Sequence, residues 1–419
     1  LLTKDKKMRQ QVVCGIDVGN YSVKTVIAEL TRGSETPRIV GIGNAPSNGL
    51  RRGTVIDMEE AIASVKQSVQ QAESMAGLRV NRAYVSLNGL HIKTQLSRGV
   101  IAVARADNEI SQSDIHRLIE AASTVSLPPN YEIIHIIPKN FIIDGHEHVK
   151  NALGMKGVRL EAEVLLIEGL SPYIRNLAKC INANDIEVGE FVFAPLAAAK
   201  SVLNKHQREY GVLLLDFGGG VSTMALFHEG ELMHTAVLPI GSRHVTNDIA
   251  IAFRTSIENA EKIKQQYGVV GAPEPGSKKD TINLSDILGE EEFIVPKKHM
   301  SKIIDARINE LFDIVTTELK KPAGNYLLPA GLVLAGGGSN LSGMPGFARN
   351  RLGLSVKLGG DYLFDGVSDS VVDPAFAVAV GLIMWGIENE QTNTHVSPFD
   401  KLSGGVFKKA ISWIKDFIP

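Results

Sequence analysis

Apolar positions recur along this chain with two periods, and the switches between them outline its elements. Residues 11–30, QVVCGIDVGNYSVKTVIAEL, place two β-rich runs around a polar, glycine-containing turn, which predicts a hairpin. Residues 39–50 continue the strand-and-turn pattern. Between 57 and 76, Ala61, Val65, Val69 and Ala72 fall on one helix face, and RAYVSLNG after it reads as a strand. Further along, 170–183 predicts a helix and GEFVFAPLAAAKSVL a strand running into a helix. Residues 211–226, GVLLLDFGGGVSTMAL, read again as strand, glycine turn and strand. Helical patterning covers 242–266, and 299–321 is an amphipathic helix carrying Ile303, Ile304, Ile308, Leu311, Val315 and Leu319. GLVLAGGGSNLSGM then reads as strand, glycine turn and helix start.

Several stretches break this rhythm. From 91 to 164 the short strands GVIAVA, YEIIHIIP and KNFIID surround one helix after Ser111, without a glycine-rich phosphate loop. This predicts a small α/β module inserted into the main body. GAPEPGSKKD is loop-like, residues 389–403 form a polar, Pro-containing flexible linker, and GGVFKKAISWIKDFIP is helical again. Residues 1–11 are expected to be disordered.

The chain repeats itself. Asp17-Val-Gly19 and Asp216-Phe-Gly218 each end one β run and lead into another, and the two aspartates are 199 residues apart. The fold expected is α/β: two related halves facing each other, with both carboxylates across one cleft.

Composition narrows the function classes. A chain of 419 residues has room for several domains and a cleft between them. Lys plus Arg total 44 against Asp plus Glu 46, a balance without the positive excess that nucleic-acid binding needs. The longest strongly apolar stretch, AFAVAVGLIMWGI, has 13 residues, short of the roughly 20 of a membrane-spanning helix. The basic opening LLTKDKKMRQ is followed by no apolar core, so it does not read as a secretory signal. Cys14 and Cys180 cannot build a disulfide framework, so a reducing, cytoplasmic setting is expected. Both read as inert core, and His91, His135, His146, His148 and His244 show no metal-ligand spacing.

The glycine turns carry the candidate chemistry. A turn of small residues can point successive backbone N–H groups inward and so bind phosphate oxygens. Residues 15–24 and 216–223 both qualify. A carboxylate beside phosphates is repulsive unless a cation lies between, so Asp17 and Asp216 imply Mg²⁺, held through waters because it dehydrates reluctantly. Lys24 can set a point charge on a phosphate. Gly336, Gly337 and Gly338 open a third loop, where backbone could approach a nucleoside. No P-loop is present and the dinucleotide fingerprint is incomplete. One glycine loop alone is an ordinary tight turn; three in this order with matched aspartates are a site.

At these residues the chain resembles the actin, sugar-kinase and chaperone ATPase superfamily. GIDVGNYSVK looks like its first phosphate loop, LLLDFGGGVST its second, VLAGGGSNLSGM its adenosine motif and FAPLAAAKSVL its first connecting segment. Within that superfamily it is most similar to the FtsA family of bacterial cell-division actin homologues, through HIIPKNFIID, PIGSRHVTNDIAIAF and the tail SWIKDFI. The resemblance implies actin-like subdomains at 12–86 with 167–205 (1A), an FtsA-type insert at 87–166 (1C), 206–267 with 330–388 (2A) and 268–329 (2B). It places Asp17, Gly19, Asn20 and Lys24 on the first phosphate loop and Asp216, Gly218, Gly219, Gly220 and Thr223 on the second. Gly336, Gly337 and Gly338 would lie against adenosine. Glu261, Lys262 and Lys264 fall where relatives contact adenine and ribose, the alternative being a solvated helix face. The implied cofactors are ATP and Mg²⁺. The implied partners are the FtsZ C-terminal peptide, received near Arg307 and Glu310, further copies of the chain in filaments, and later division proteins at the insert. One departure bears on chemistry: relatives that hydrolyse ATP often carry Glu before the Pro of the connecting segment, and here Ala194 precedes Pro195. Alanine cannot orient water or accept a proton, so slow or absent hydrolysis is expected.

The last 16 residues, 404–419, make a candidate membrane helix. Phe407, Ala410, Ile411, Ile414, Phe417 and Ile418 form one apolar stripe, with Trp413 at its edge. Lys408, Lys409 and Lys415 against Asp416 leave a net +2 facing out, which suits anionic lipid at the cytoplasmic face of the membrane. Two alternatives remain: a sugar-kinase-like phosphotransferase, for which no second catalytic acid is found, and the pilus-assembly ATP-binding relative, which lacks such a tail.

Overall fold

Two sheets built on the same hairpin plan carry the molecule. The computed structural model describes residues 11–30, 36–271, 281–289, 293–322, 326–360, 364–366 and 371–393. The first half begins with β1 (Gln11–Val18), β2 (Ser22–Leu30), β3 (Arg38–Pro46), a small hairpin of β4 (Leu50–Arg51) and β5 (Thr54–Val55), α1 (Met58–Ala76) and β6 (Arg82–Leu87). Asp57 caps α1 by accepting from the Glu60 amide, and Gly77 ends it in the left-handed conformation. Gln11 already belongs to β1, which shortens the expected disordered start by one residue.

The chain then enters the insert: β7 (Lys93–Ala102), α2 (Gln112–Ser123), β8 (Tyr131–Ile143), β9 (Glu147–Val149) and β10 (Arg159–Leu170). These strands form one antiparallel sheet in the order β7-β10-β8-β9, with α2 packed on β7 and β10. YEIIHIIP and KNFIID, expected as two strands, are the single strand β8. Pro138 is tolerated inside it because it sits at a register irregularity against β10, and β9 pairs only with 141–143. β10, which the apolar pattern did not single out, carries the chain without a break back into the first half.

The return path is α3 (Ser171–Asn182), β11 (Glu187–Phe193), α4 (Ala194–Val202) and α5 (Lys205–Tyr210). The second half follows as β12 (Val212–Phe217), β13 (Ser222–His228), β14 (Glu231–Leu238), α6 (Ser242–Phe253) and α7 (Ile257–Tyr267). The helix expected over 242–266 is thus two helices. Arg254 takes a left-handed conformation, φ 51°, and Ser256 caps the second by accepting from the Asn259 amide. A small outer region holds β15 (Thr281–Asn283), α8 (Ser285–Leu288), β16 (Ile294–Pro296) and α9 (Lys297–Leu319). β17 (Leu332–Ala335), α10 (Met344–Leu352), β18 (Val356–Leu358), β19 (Asp365–Gly366) and α11 (Ala377–Asn393) complete the described chain.

The sheet orders are β11-β6-β1-β2-β3-β19 in the first half and β14-β13-β12-β17-β18 in the second. β1 and β12 are apolar almost throughout because helices cover their sheets; α11 packs on β1 and α4, and α4 reaches β12 and β13. α11 runs to Asn393, so residues 389–393 are helix and not linker. Residues 394–403 and the tail, with Phe407, Ile411, Trp413, Ile414, Phe417 and Ile418, lie outside the described residues, as do 1–10 and 272–280. Among the described residues no helix is long and apolar enough to cross a membrane.

Candidate functional site

The repeat seen in sequence is repeated in backbone geometry. β1 pairs with β2 so that Asp17 faces Lys24 and Val18 faces Val23; β12 pairs with β13 so that Asp216 faces Thr223 and Phe217 faces Ser222. In each turn a Cβ on the glycine two residues after the aspartate would meet a carbonyl oxygen three residues on. The distance is 2.8 Å from Gly19 to Ser22 O and 2.7 Å from Gly218 to Val221 O. Only glycine fits either turn. β17 lies parallel to β12, placing Ala335 beside Asp216, and the chain then turns at Gly336 with φ +81°. A Cβ there would sit 2.2 Å from Asp216 Oδ1, so this turn too requires glycine.

These turns enclose a cleft of about 580 Å³ between the halves. It gathers Asp17, Gly19, Asn20, Lys24, Asp216, Gly218, Gly219, Glu261 and Gly336, Gly337 and Gly338. Gly220, Thr223 and Lys262 are not on its wall. Gly220 is turned against Asn20, with 2.7 Å from its would-be Cβ to Asn20 Cγ; Thr223 is buried within the sheet; Lys262 sits on the exposed side of α7. The neighbouring Lys264 and Gln265 reach the cleft instead.

Electrostatics single out the two aspartates. Ser86 Oγ donates to Asp17 Oδ1 at 2.8 Å and accepts from the Val18 amide at 3.0 Å, fixing that carboxyl. Burial pushes the Asp17 carboxyl up against the opposing pull of Lys24 and Ser86. Burial and then the charge of Asp17 push Asp216 up to about 7, with Lys24 again opposing. Two buried carboxylates raised in this way, with Lys24 of the first hairpin too weak a counter-charge to offset their burial, are the donor set a hard divalent cation satisfies, so the residues fit Mg²⁺. On α7, Lys264 Nζ donates to Glu261 Oε2 at 2.7 Å and to Thr246 Oγ1 at 2.9 Å, while Thr246 donates to the same carboxylate at 2.6 Å. Burial pushes Glu261 up, but Lys264 and these hydrogen bonds outweigh it and leave the carboxyl below its usual range. Glu261 is therefore a fixed, charged acceptor on the cleft wall.

Other positions were not foreseen. Asp373 lines the cleft and accepts from the Ala375 amide and from Asn340 Nδ2, both at 2.8 Å, and the Pro374 carbonyl accepts from the Gly336 amide at 2.9 Å. The Asp-Pro pair ahead of the apolar AFAVAV run was the available signal. Tyr21, Asn44, Asn88 and Phe376 also contribute to the wall, and Lys24 Nζ lies 5.8 Å from the centre of the Phe376 ring. Ala194 is on the wall and 1% exposed. Arg307 and Glu310 stand away from the cleft on α9, where Arg307 pairs with both Asp248 and Glu310. Cys14 and Cys180 are buried, and burial pushes both thiols up, Cys180 to about 11.

Comparison with known proteins bears on this arrangement. A family model described as cell division protein FtsA matches residues 213–381, and one described as the SHS2 domain inserted in FtsA matches 89–168. The chain is 35% identical to the cell division protein FtsA of Pseudomonas aeruginosa over 387 residues, 92% of each chain. It is 35% identical to that of Bacillus subtilis over 380 residues, 90% of this chain and 84% of that one. Against that of Escherichia coli K12 it is 30% identical over 417 residues, 98% and 97% of the two chains. In fold it is similar to a chain of a PilM-PilN type IV pilus biogenesis complex, with a TM-score of 0.65 at 16% identity over 90% of this chain and 98% of that one. It is also similar to MreB5 of Spiroplasma citri bound to AMPPNP, with a TM-score of 0.56 at 13% identity over 92% and 98%. Both solved structures speak to the fold alone. The relatives by sequence span nearly the whole chain, insert included, and the protein belongs to the FtsA family of bacterial cell-division proteins, with an actin-like α/β fold of two similar halves.

Proposed function

We propose that the cleft binds ATP with Mg²⁺, and that the protein polymerises and tethers FtsZ filaments to the cytoplasmic face of the cell membrane, where it recruits later division proteins. The observation that carries the nucleotide reading is the pair of matched hairpin turns bringing Asp17 and Asp216 to one cleft beside Lys24. In this reading the turn amides after Asp17 and Asp216 cradle the phosphates and Lys24 offsets their charge. Asp17 and Asp216 hold Mg²⁺ through waters, and the cation neutralises phosphate charge. Gly336, Gly337 and Gly338 let backbone lie against adenosine, with Glu261 as acceptor on the opposite wall.

Hydrolysis is slow in this reading because Ala194 supplies neither a base nor a water-positioning group. The FtsZ peptide is received on the α9 side of the second half, near Arg307 and Glu310, and later division proteins at the insert. Membrane attachment belongs to 404–419, whose apolar stripe and excess lysines suit anionic lipid. A single short helix binds weakly, and a filament that aligns many copies makes the attachment lasting. Titration calorimetry with Mg·ATP on the full chain and on Asp216→Ala tests the cleft: tight binding to the first and much weaker binding to the second is expected. Equal affinities would remove the assignment.

A further inference from the structure

Tyr21 and Gln265 meet across the opening of the cleft. Tyr21 stands in the turn between β1 and β2 of the first half, Gln265 on α7 of the second. Gln265 Nε2 donates to the Tyr21 hydroxyl at 2.9 Å and to Glu261 Oε1 at 3.0 Å. Both residues line the cleft and both keep solvent-exposed surface, Tyr21 to 47%, so their bond lies on the rim and not on the floor. The base of Tyr21 is held: a Cβ on Gly219 would lie 2.8 Å from Tyr21 Cβ, so the second-half turn presses directly against it. Next to it, Arg243 Nη1 donates to the Asn20 carbonyl at 3.1 Å, and Asn20 Oδ1 accepts from the Gly53 amide at 2.9 Å. The turn is therefore braced from both halves, and the tyrosine hydroxyl projects from a fixed base to the opposite wall.

We propose that the Tyr21–Gln265 pair is a gate on the cleft rim that sets how fast nucleotide enters and leaves. The proposal rests on the nucleotide reading of the cleft given above. Gln265 is one residue beyond Lys264 and four beyond Glu261 on α7, the wall assigned to the nucleoside, so a nucleoside moving in or out passes the helix turn that carries Gln265. The bond joins opposite walls, so the walls separate only when it breaks. A neutral, exposed hydrogen bond is worth little net, so the gate opens thermally and slows exchange by about three- to tenfold without blocking it. It stands against movement in both directions. Its removal raises the association and dissociation rate constants together and moves Kd less than either.

Stopped-flow fluorescence with a methylanthraniloyl ATP analogue and Mg²⁺ on the full chain tests this. Tyr21→Phe keeps the ring and removes the hydroxyl; Gln265→Leu removes the donor from the other wall. Each is expected to raise both rate constants by about three- to tenfold, and the double variant to add nothing to either single one. Unchanged rate constants in both single variants overturn the gate. So does a rise in dissociation alone with a matching loss of affinity, which would make Tyr21 an ordinary ligand contact. If the unaltered chain fails to bind the analogue, the cleft reading falls and the gate with it; if it binds and the variants exchange at its rate, the gate alone falls.

Discussion

Arg307 on α9 grips Asp248 on α6 with two N–H···O bonds, Nε to Oδ2 at 2.8 Å and Nη2 to Oδ1 at 2.9 Å. Both side chains are about three-quarters buried, and Glu310 takes a further guanidinium bond from the same helix. A planar fork against a carboxylate is geometry that lysine cannot copy. Arg307→Lys is therefore expected to weaken the packing of α9 on α6 by ~1–2 kcal/mol and to lower the unfolding midpoint in urea. A midpoint equal to that of the unaltered chain would show the pair to be ornamental. The same residue tests the partner assignment. Arg307→Glu is expected to abolish binding of a peptide from the FtsZ C-terminus, and Glu310→Lys, which leaves the Asp248 fork in place, to weaken it. Wild-type peptide affinity in Glu310→Lys and Arg307→Glu would place that partner elsewhere.

Asp216 is the stronger of the two tests of the cation site, because burial and the neighbouring Asp17 together push its carboxyl up to about 7. A group that unfavourable when charged is stabilised most by a cation placed on it. Asp216→Asn keeps the shape and removes the charge. The variant is expected to bind ATP with little dependence on Mg²⁺, and the unaltered chain to lose affinity when the metal is chelated. An equal response to chelation in the two proteins would exclude Asp216 as the cation's anchor.

The parts of the fold that sequence made legible are those where one element settles its own conformation. The hairpins around Asp17 and Asp216 could be read because their glycines are required by the turns, and α1 because Ala61, Val65, Val69 and Ala72 share the one face it buries. Elements decided by their neighbours were harder. Pro138 looks like a break in 131–143 until the sheet shows an irregularity that accommodates it. The gap between α6 and α7 depends on Arg254 turning left-handed, a conformation arginine does not advertise. Lys262 and Lys264 look alike in sequence, but two positions on a helix are about 200° apart, and only Lys264 faces Glu261 and the cleft. The Asp-Pro pair at Asp373 signals only a local turn; its place on the cleft wall depends on Asn340, brought to it from a different segment.

The insert carries its own acid-sensitive joint. Asp114, fully buried at the start of α2, accepts from the Ser111 amide at 2.9 Å and the Ala104 amide at 3.1 Å, and it pairs with Arg117. Burial pushes its carboxyl up, but the hydrogen bonds from Ser111, Arg117 and Ala104 outweigh it and hold the group well below its usual range. Between the folded and unfolded values the unfolded chain binds more protons, so stability rises with pH across that window and is fully present above about 4. Asp114→Asn is expected to cost ~1–3 kcal/mol at pH 7. Its urea midpoint should approach that of the unaltered chain as pH falls from 5 to 3. A gap between the two proteins that stays constant over that range would mean that the Asp114 charge contributes nothing.

Ala194 opens α4 directly on the cleft wall, buried and followed by Pro195. The N-terminus of a helix favours an anion, so the position would accept a carboxylate, and this chain has a methyl group there. Phosphate release from ATP is expected to stay well below about 1 s⁻¹, the low end of ordinary enzyme turnover. Ala194→Glu is expected to raise it. Release at or above that rate in the unaltered chain would show that another group positions the water.

Membrane attachment is expected to depend on residues 404–419 and on nothing in the cleft. α11 is fixed to the first half: Trp385 Nε1 and Asn389 Nδ2 both donate to Glu190 Oε2, at 3.0 and 2.8 Å. The described chain therefore ends on an anchored helix, and removing 404–419 deletes none of Asp17, Asp216 or the glycine turns. Deleting 404–419 is expected to abolish sedimentation with anionic liposomes and to leave Mg·ATP affinity unchanged. Trp413→Glu with Ile414→Glu should do nearly the same, because each charge costs up to ~2.5–3.5 kcal/mol at mid-bilayer and less at the interface, more than one weak helix gains. Replacing anionic by neutral lipid should weaken binding of the unaltered chain, since the net +2 of Lys408, Lys409 and Lys415 against Asp416 then loses its counter-charge. If the truncated chain still sediments with anionic vesicles, the lipid contact lies in the folded body and the tail must serve another purpose.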